Sequence, residues 1–124
     1  MIASGKPRKQ RLFRYTAPNH VRQKFVHAHV AKELAKKLGI KKRSVGVRRG
    51  DTVKVMSGNS RGKNGKVSDV DLRRAVVFIE GIARKTAKGR EIQIPISASN
   101  VYITDLNLTN KWRSAKIQAE RAEK

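Results

Sequence analysis

The sequence of 124 residues carries 30 Lys and Arg against 9 Asp and Glu, a net charge of +21 at pH 7. It has no cysteine, which excludes disulfides and thiolate metal ligands, and no apolar run approaches the roughly 18 residues of a transmembrane helix. A charge this one-sided favours a polyanionic partner, because many spread cations release counterions from a phosphate backbone. We therefore expect a nucleic acid as the partner, with a membrane surface or an acidic protein as alternatives.

The basic residues are concentrated in the N-terminal part of the chain. Residues 1–49 hold 15 Lys and Arg and a single acid, Glu33, whereas the net charge is only +4 in residues 50–106 and +3 in residues 107–124. Residues 1–18 contain Gly5, Pro7 and Pro18 and show no clear helical or strand period. We expect this basic N-terminal arm to be extended and to be ordered mainly by its partner. Its predicted contact residues are Lys6, Arg8, Lys9, Arg11 and Arg14.

Residues 19–43 are predicted to form an amphipathic helix followed by a basic linker. Asn19 is placed to cap the helix and Gly39 to end it, so the helix should cover residues 20–38. Its basic face either is solvated or lies on phosphates, and the two interpretations are compatible. The apolar stripe, with its spacing of four residues, consists of Val26, Val30, Leu34 and Leu38. The predicted contact residues of this segment are His20, Arg22, Lys24, Lys41, Lys42 and Arg43.

Residues 44–106 have the pattern of a small β domain. Val53 and Val55 alternate with polar residues, and residues 75–79 form a continuous apolar run that is typical of a buried strand. A turn is expected at residues 69–74, and Lys88-Gly89 marks a hairpin tip within residues 84–90. Further strands are expected where apolar residues alternate again, with Pro95 indicating an edge position. Five short strands with tight turns are typical of an SH3-like barrel, so the fold class is predicted to be mainly β.

A glycine-rich loop between two predicted strands is the strongest functional signal. It lies within residues 50–67, where an alternating strand leads into a loop with three glycines and three cations. Glycine lets the backbone turn sharply or come close to a partner, and a small β scaffold holds such a loop in place. The predicted contact residues here are Gly58, Arg61, Gly62, Lys63, Asn64, Gly65 and Lys66. Neighbouring basic loops add Arg48, Arg49, Arg84 and Lys85.

Residues 107–124 are predicted to be a polar tail that is partly helical. Trp112 lies between Lys111 and Arg113, and a lone tryptophan among cations is suited to stacking on a base. The alternative, which we favour slightly, is that Trp112 packs on the barrel. All three residues are counted among the predicted contacts.

Other chemistry has little support in the sequence. Residues 58–63 resemble a phosphate-binding loop only superficially, because three residues instead of four separate Gly58 from Gly62 and Asn64 follows Lys63. The histidines are not spaced to share a helix face, so no metal site is expected. Asp69 and Asp71 are typical of turn residues. No nucleophile–base pair is visible, so we expect neither an enzyme nor a cofactor.

The same residues carry a family resemblance that covers nearly the whole chain. The run from Gly50 to Val67 resembles a KOW motif, which occurs in several ribosomal proteins and in transcription elongation factors. The flanking segments resemble the archaeal and eukaryotic form of one family of large-subunit ribosomal proteins, number twenty-four of the universal set and twenty-six in eukaryotes. These segments are 6–11, 17–24, 47–51, 76–85, 95–96 and 99–101.

This resemblance implies a cytoplasmic component of the large ribosomal subunit with an SH3-like KOW barrel. It implies binding to the 5′ region of large-subunit rRNA early in assembly, and a position near the exit of the peptide tunnel. The implied partners are this rRNA, neighbouring large-subunit ribosomal proteins and factors that dock at the tunnel exit. Two other classes remain as alternatives, a transcription-elongation KOW module and a histone-like DNA architectural protein. The N-terminal cations speak against the first, and the Gly-rich β loop speaks against the second.

Overall fold

Short strands form the central framework of the structure, a computed structural model that describes residues 2–122. The nine strands of this part are β1 (His27–Val30), β2 (Ser44–Gly46), β3 (Thr52–Val55), β4 (Asn64–Asp71), β5 (Val76–Ile79), β6 (Ala83–Lys85), β7 (Glu91–Gln93), β8 (Ile96–Ser97) and β9 (Val101–Asp105). The helices are α1 (Pro7–Thr16), α2 (Asn19–Arg22), α3 (Lys32–Leu38) and α4 (Lys111–Ala122), with 3₁₀ turns at Gln23–Phe25 and Ala98–Asn100. None of the helices within residues 2–122 is long and apolar enough to cross a membrane.

Seven strands form one sheet in the order β2-β1-β9-β3-β4-β5-β8, and β6 and β7 pair separately as a hairpin. All pairs are antiparallel except β1 with β9. The register of β4 against β5 shifts between Val67 and Asp69, and such a bulge bends a strand and increases its twist. The long strand β4 can therefore serve both halves of a curved sheet. This architecture is consistent with a small β-barrel and confirms the mainly β prediction.

Alternation along the strands builds the core. In β3, Val53 and Val55 are buried while Lys54 is exposed, as the period of two requires. Strand β5 also alternates, with Val77 and Ile79 completely buried and the residues between them only partly so. The apolar run at residues 75–79 therefore has one completely buried face and one partly buried face, whereas the sequence predicted burial of the whole strand. The other fully buried members of the core include Val101 and Ile103 of β9.

The turns follow the sequence prediction closely. Asp71 accepts hydrogen bonds from the backbone N–H groups of Arg73 (2.9 Å) and Arg74 (3.4 Å), so it closes the turn between β4 and β5. The β6–β7 hairpin turns at residues 86–90, as expected, where Thr86 N–H donates to the Arg90 carbonyl over 2.9 Å. Pro95 directly precedes β8, an edge strand of the large sheet.

The predicted helix over residues 20–38 is wrong in its middle. Residues 27–30 form β1, which pairs with β2 and β9, and only α3 in the C-terminal part is a regular helix of more than one turn. Asn19 does not cap a helix, because α2 begins at Asn19 after Pro18. The prediction for Gly39 is confirmed, since this residue ends α3 in the left-handed conformation at φ 65°.

The N-terminal arm is also more regular than predicted. Residues 7–16 form α1, with Pro7 in the first turn, where its missing N–H is tolerated. None of its residues is buried. Its contacts are peripheral: the Phe13 and Phe25 rings meet edge to face at 6.3 Å between centroids, and the Arg14 guanidinium lies 5.5 Å from the Phe25 centroid. The helix therefore presents most of its cations to solvent.

The division of the chain into segments at residues 18, 43 and 106 stays a prediction.

Candidate nucleic-acid interface

The loop between β3 and β4 is held rigid by its own main chain. Gly62 N–H donates to the Val55 carbonyl over 2.8 Å, and Val55 N–H donates to the Lys63 carbonyl over 2.9 Å. A tighter turn lies inside this frame, with Arg61 N–H donating to the Gly58 carbonyl over 3.1 Å. The side chains of Arg61 and Lys63 are exposed. The loop thus presents cations from a fixed backbone, so little conformational entropy is lost when a partner binds.

The three glycines of this segment have two different roles. Gly58 and Gly62 have φ values of +93° and +84°, and a Cβ at either would have no neighbour within 4 Å. They therefore permit the left-handed turn and leave open space over the backbone. Gly65 is different, because a Cβ there would collide with the Ile79 side chain and lie 2.7 Å from the Glu80 carbonyl oxygen. Gly65 therefore serves strand packing, and its contact with the partner stays a prediction.

A second cationic site is a groove of about 650 Å³ between the N-terminal segment, the β2 region and α4. It brings together predicted contact residues that are far apart in the sequence, and among the side chains that the structure describes no Asp or Glu lines it. The polar or charged lining residues that were predicted are His20, Lys24, Lys42, Arg48, Arg49 and Arg113, with Trp112 beside them. The structure adds His27 and Lys116 to this set. We call this site the α4 groove.

The remaining predicted cations lie outside the α4 groove. Lys41 and Arg43 are exposed in the segment between α3 and β2, and Lys66 is exposed on β4 beside Asn64. Arg84 and Lys85 are exposed on β6, and Lys85 Nζ lies 4.0 Å from a Glu91 carboxylate oxygen across the hairpin. The exposed arm cations on α1 are Arg8, Lys9, Arg11 and Arg14, with Lys6 directly before them. Arg22 donates to the Tyr15 carbonyl and so ties α2 to the end of α1.

Arg113 does not reach solvent, which corrects its predicted role as a contact residue. Its side chain is only 6% exposed and that of Asp51 is 0% exposed. The two nitrogens Nη1 and Nη2 donate to Asp51 Oδ1 and Oδ2 over 2.6 and 2.7 Å, a bidentate ion pair. Arg113 also donates to the carbonyls of Gly46 and Asn107. Both terminal nitrogens of its guanidinium are therefore used in joining α4 to the β domain.

Asp51 is a buried carboxylate whose oxygens are satisfied from several sides. In addition to Arg113, the backbone N–H groups of Arg48 and Asn107 each donate to it over 2.9 Å. The pair thereby joins the segment before β3, the segment after β9 and α4. A buried charge is tolerated only when it is paired and hydrogen-bonded in this way.

Trp112 is 85% exposed, so the alternative that it packs on the barrel is wrong. Its backbone is nevertheless well fixed, because Asn110 Oδ1 accepts hydrogen bonds from the N–H groups of Trp112 (2.9 Å) and Arg113 (3.4 Å) at the start of α4. The neighbouring Lys111 is exposed. An indole held at the rim of a cationic groove is available to an aromatic ligand.

One of the groove cations is partly neutralised by a carboxylate. Arg49 Nε donates to Asp69 Oδ1 over 2.8 Å. The backbone N–H of Val70, and then Arg49, hold the pKa of Asp69 below its usual value. Because both side chains are largely exposed, we expect this pair to orient Arg49 more than to stabilise the fold.

His27 lies in the α4 groove with a lowered pKa. Burial is the first cause, and the charges of Lys116 and Lys42 add to it. The folded state therefore binds the His27 proton less tightly than the unfolded state, so its contribution to stability is complete above about pH 6.5 and is lost as the pH falls through the folded-state pKa. We expect His27→Gln to gain stability relative to the wild type as the pH falls from 7.5 to 5.5, measured by urea unfolding. An equal pH response of the two proteins would contradict this assignment.

Comparison with known proteins identifies the family. Residues 4–120 match the model of a ribosomal protein family, described as L26 in eukaryotes and L24p in archaea. The chain belongs to this family. It is 46% identical over 118 residues to the large ribosomal subunit protein uL24 of Methanocella arvoryzae, covering 95% of this chain and 94% of that protein. Proteins of the same name from Methanospirillum hungatei and Pyrobaculum islandicum are 45% and 43% identical, each over at least 96% of both chains.

Membership of the L26/L24p family confirms the resemblance drawn from the sequence. The matched range includes α1, the loop between β3 and β4, and most of α4. Both cationic sites described above therefore lie inside the family domain. No cluster of three or more His, Asp or Glu side chains that would hold a metal ion occurs within residues 2–122.

Sequence reasoning missed Asp51, His27 and Lys116. Asp51 follows two arginines and a glycine, and nothing nearby indicates that its partner is 62 residues away in the sequence. The groove side of α4 had a weak signal, since Arg113 and Ile117 are four residues apart and both are buried. Reading residues 107–124 as a tail obscured that pattern.

Proposed function

We propose that the protein is a structural constituent of the large ribosomal subunit in the cytoplasm and that it binds the 5′ region of large-subunit rRNA. The relatives named above are large ribosomal subunit proteins, and the family is one of structural proteins, which supports a binding role without catalysis. The observation that carries the proposal is the loop between β3 and β4. Its closed main chain and open glycines present Arg61 and Lys63 to a polyanion from a rigid scaffold.

The proposed mechanism combines a rigid platform with basic extensions. The β domain holds the loop and the α4 groove, while α1 carries further cations away from the sheet. Phosphate contacts of this kind fix position and orientation but carry little sequence information. Specificity then comes from RNA shape and unpaired junctions, which the arm and the β domain contact together. Neutralised phosphates allow RNA segments to pack, which is a function suited to early assembly.

The location in the subunit is part of the same proposal. The family resemblance implies a position near the exit of the peptide tunnel, with neighbouring large-subunit proteins and docking factors as additional partners. The exposed β6–β7 hairpin, with Arg84 and Lys85, is an element that extends this basic surface. Crosslinking in cells with ultraviolet light, followed by sequencing of the attached RNA, tests the location. Narrow crosslinks in the 5′ region of large-subunit rRNA support it, and diffuse crosslinks to messenger RNA oppose it.

The salt dependence of RNA binding tests the loop. We expect the observed affinity of the full chain for a 5′ fragment of large-subunit rRNA to fall steeply with salt. The combined substitution Arg61→Gln, Lys63→Gln and Lys66→Gln should make the slope of log K against log salt shallower by about 2 to 3, because each phosphate contact contributes roughly 0.7–0.9. The combination Arg73→Gln, Arg74→Gln and Lys88→Gln is the matched control, since it removes the same charge outside the predicted contacts. A flat salt response would refute RNA binding, and equal effects of the two combinations would refute the placement.

Removal of residues 1–18 tests the arm. Because no residue of α1 is buried and the small side chain of Ala17 is the one buried side chain in residues 2–18, we expect the shortened chain to keep the circular dichroism and cooperative unfolding of the β domain while its affinity for the rRNA fragment decreases. The loss of the edge-to-face contact between Phe13 and Phe25 should lower stability by about 1 kcal/mol. Collapse of the melting transition would show that the arm belongs to the folded unit and would contradict the boundary at residue 18.

A further inference from the structure

The α4 groove combines an apolar floor, an exposed indole and a cationic rim. At about 650 Å³ it lies in the size range of pockets for small ligands. The apolar lining residues are Val26, Val45, Val47, Val70, Leu72 and Ile117. An entirely polar surface would suffice for holding phosphates, so the apolar floor and Trp112 indicate a ligand with a flat, apolar part.

The positive charge of the groove favours a ligand that carries a negative charge. Lys24, Arg48 and Lys116 line it, and its lining residues in the described part of the chain include no carboxylate side chain. Burial, and then the charges of Lys116 and Lys42, depress the pKa of His27, and these lysines disfavour a further cation in the groove. A ligand with an anionic group beside an aromatic ring matches this distribution, and a nucleotide has both.

The backbone of Trp112 is fixed in place before any ligand binds. Its own N–H and that of Arg113 donate to Asn110 Oδ1, and the next side chain along the helix forms the buried pair with Asp51. The backbone that carries the indole is therefore anchored to the β domain. This preorganisation reduces the entropy that stacking would otherwise cost.

We propose that the α4 groove binds a single unpaired nucleotide of the RNA, with its base stacked on Trp112 and its phosphate on Lys24 and Lys116. The inference rests on the proposed function, since the bound RNA supplies the nucleotide. It assigns the groove to an extruded base, whereas the loop between β3 and β4 contacts phosphates. Stacking tolerates every base, so the groove selects an unpaired position and not a sequence.

Fluorescence of the full chain provides a direct test, because Trp112 is the only tryptophan. The probes are a six-residue oligoadenylate, a blunt RNA duplex, a hexaglutamate peptide and the 5′ rRNA fragment. We expect quenching by the oligoadenylate and the rRNA fragment and little by the duplex or the peptide. Filter binding should show that Trp112→Leu weakens oligoadenylate binding about 5- to 150-fold, while Trp112→Phe stays within a few-fold of the wild type. Lys88→Gln is the control for charge, because it removes an exposed cation outside the groove and outside the predicted contacts, and it should leave quenching unchanged.

The outcomes distinguish a failure of the groove assignment from a failure of the proposed function. If the rRNA fragment binds while fluorescence and the affinity of Trp112→Leu stay unchanged, the groove assignment is overturned and the proposed function stands. The same holds if the duplex quenches as strongly as the oligoadenylate, or if only hexaglutamate quenches, which would point to an acidic protein segment. If the rRNA fragment does not bind the wild type, both the groove assignment and the proposed function fail. Because Trp112 is exposed, circular dichroism should show each variant folded.

Discussion

Replacing Arg113 with alanine is expected to lower the free energy of unfolding by about 3–5 kcal/mol. The substitution leaves the Asp51 carboxylate, which is 0% exposed, without its counter-charge. Two backbone N–H donors remain on this carboxylate, from Arg48 and Asn107, but they do not neutralise it. Urea unfolding followed by circular dichroism measures the effect. Small domains are stable by only about 5–15 kcal/mol, so the variant should be close to the limit of folding.

Two further variants keep this prediction testable if Arg113→Ala does not fold. Arg113→Lys retains the charge but cannot form the bidentate pair, so its loss should be intermediate. Lys111→Ala removes an exposed cation from the same helix and should change stability by less than about 0.5 kcal/mol. In a double-mutant cycle, Asp51→Ala combined with Arg113→Ala should lose less than the sum of the single changes. Additive effects, or a loss below 1 kcal/mol for Arg113→Ala, would contradict the role of the pair.

The ion pair between Asp51 and Arg113 also fixes α4 to the β domain. Asp51 precedes β3, Asn107 follows β9, and Arg113 lies on α4. Helix α4 therefore begins at a buried ion pair and carries Trp112 beside it. Weakening this pair should move the groove rim as well as lower stability, whereas the loop between β3 and β4 depends on its own backbone hydrogen bonds. The two cationic sites are consequently separable by mutation.

Local patterns made much of the sheet predictable. Where alternation was clear, as in β3 and β9, the strands occur as expected. Turn residues were equally informative, because Asp71 and Gly89 carry short-range signals of their own. These features depend on neighbours within a few residues, which a single sequence contains.

Elements that depend on distant partners were not predictable. The spacing of Val26, Val30 and Leu34 fits a helix, yet His27–Val30 also alternates, and the pairing of Val30 with Ile103 of β9 selects the strand. Helix α1 was missed for the opposite reason. With no buried residue it has no apolar stripe pointing to a core, so its sequence shows no helical period.

The candidate site also contains both residues whose role is visible in the local sequence and residues whose role depends on a distant partner. The exposed cations of the loop between β3 and β4 were identified because charge and glycine spacing are visible in the sequence. Arg113 was counted among the contacts because it lies beside Trp112 among cations, and only its distant partner Asp51 explains why it is buried. Gly65 looked like its neighbours Gly58 and Gly62, and only the packing of β4 on β5 distinguishes it.

Gly65→Val is the second substitution for which we expect a large effect, a loss of roughly 3 kcal/mol, at the upper end for overpacking. The new side chain would meet Ile79, which is completely buried, and the backbone carbonyl of Glu80. The Ile79 side chain can respond only by changing its rotamer, but the Glu80 backbone, whose N–H donates to the Lys66 carbonyl over 2.9 Å, moves only with the sheet. The measurement is the thermal midpoint, which should fall by about 10 °C or more.

Matched glycine substitutions separate packing from backbone strain. Gly5→Val has no neighbour within 4 Å and no positive φ, so its midpoint should stay within about 2 °C of the wild type. Gly58→Ala has equal space but a φ of +93°, so it should lose about 1–2 kcal/mol through strain alone. A Gly65→Val protein as stable as the Gly5 variant would mean that β4 and β5 can separate without cost.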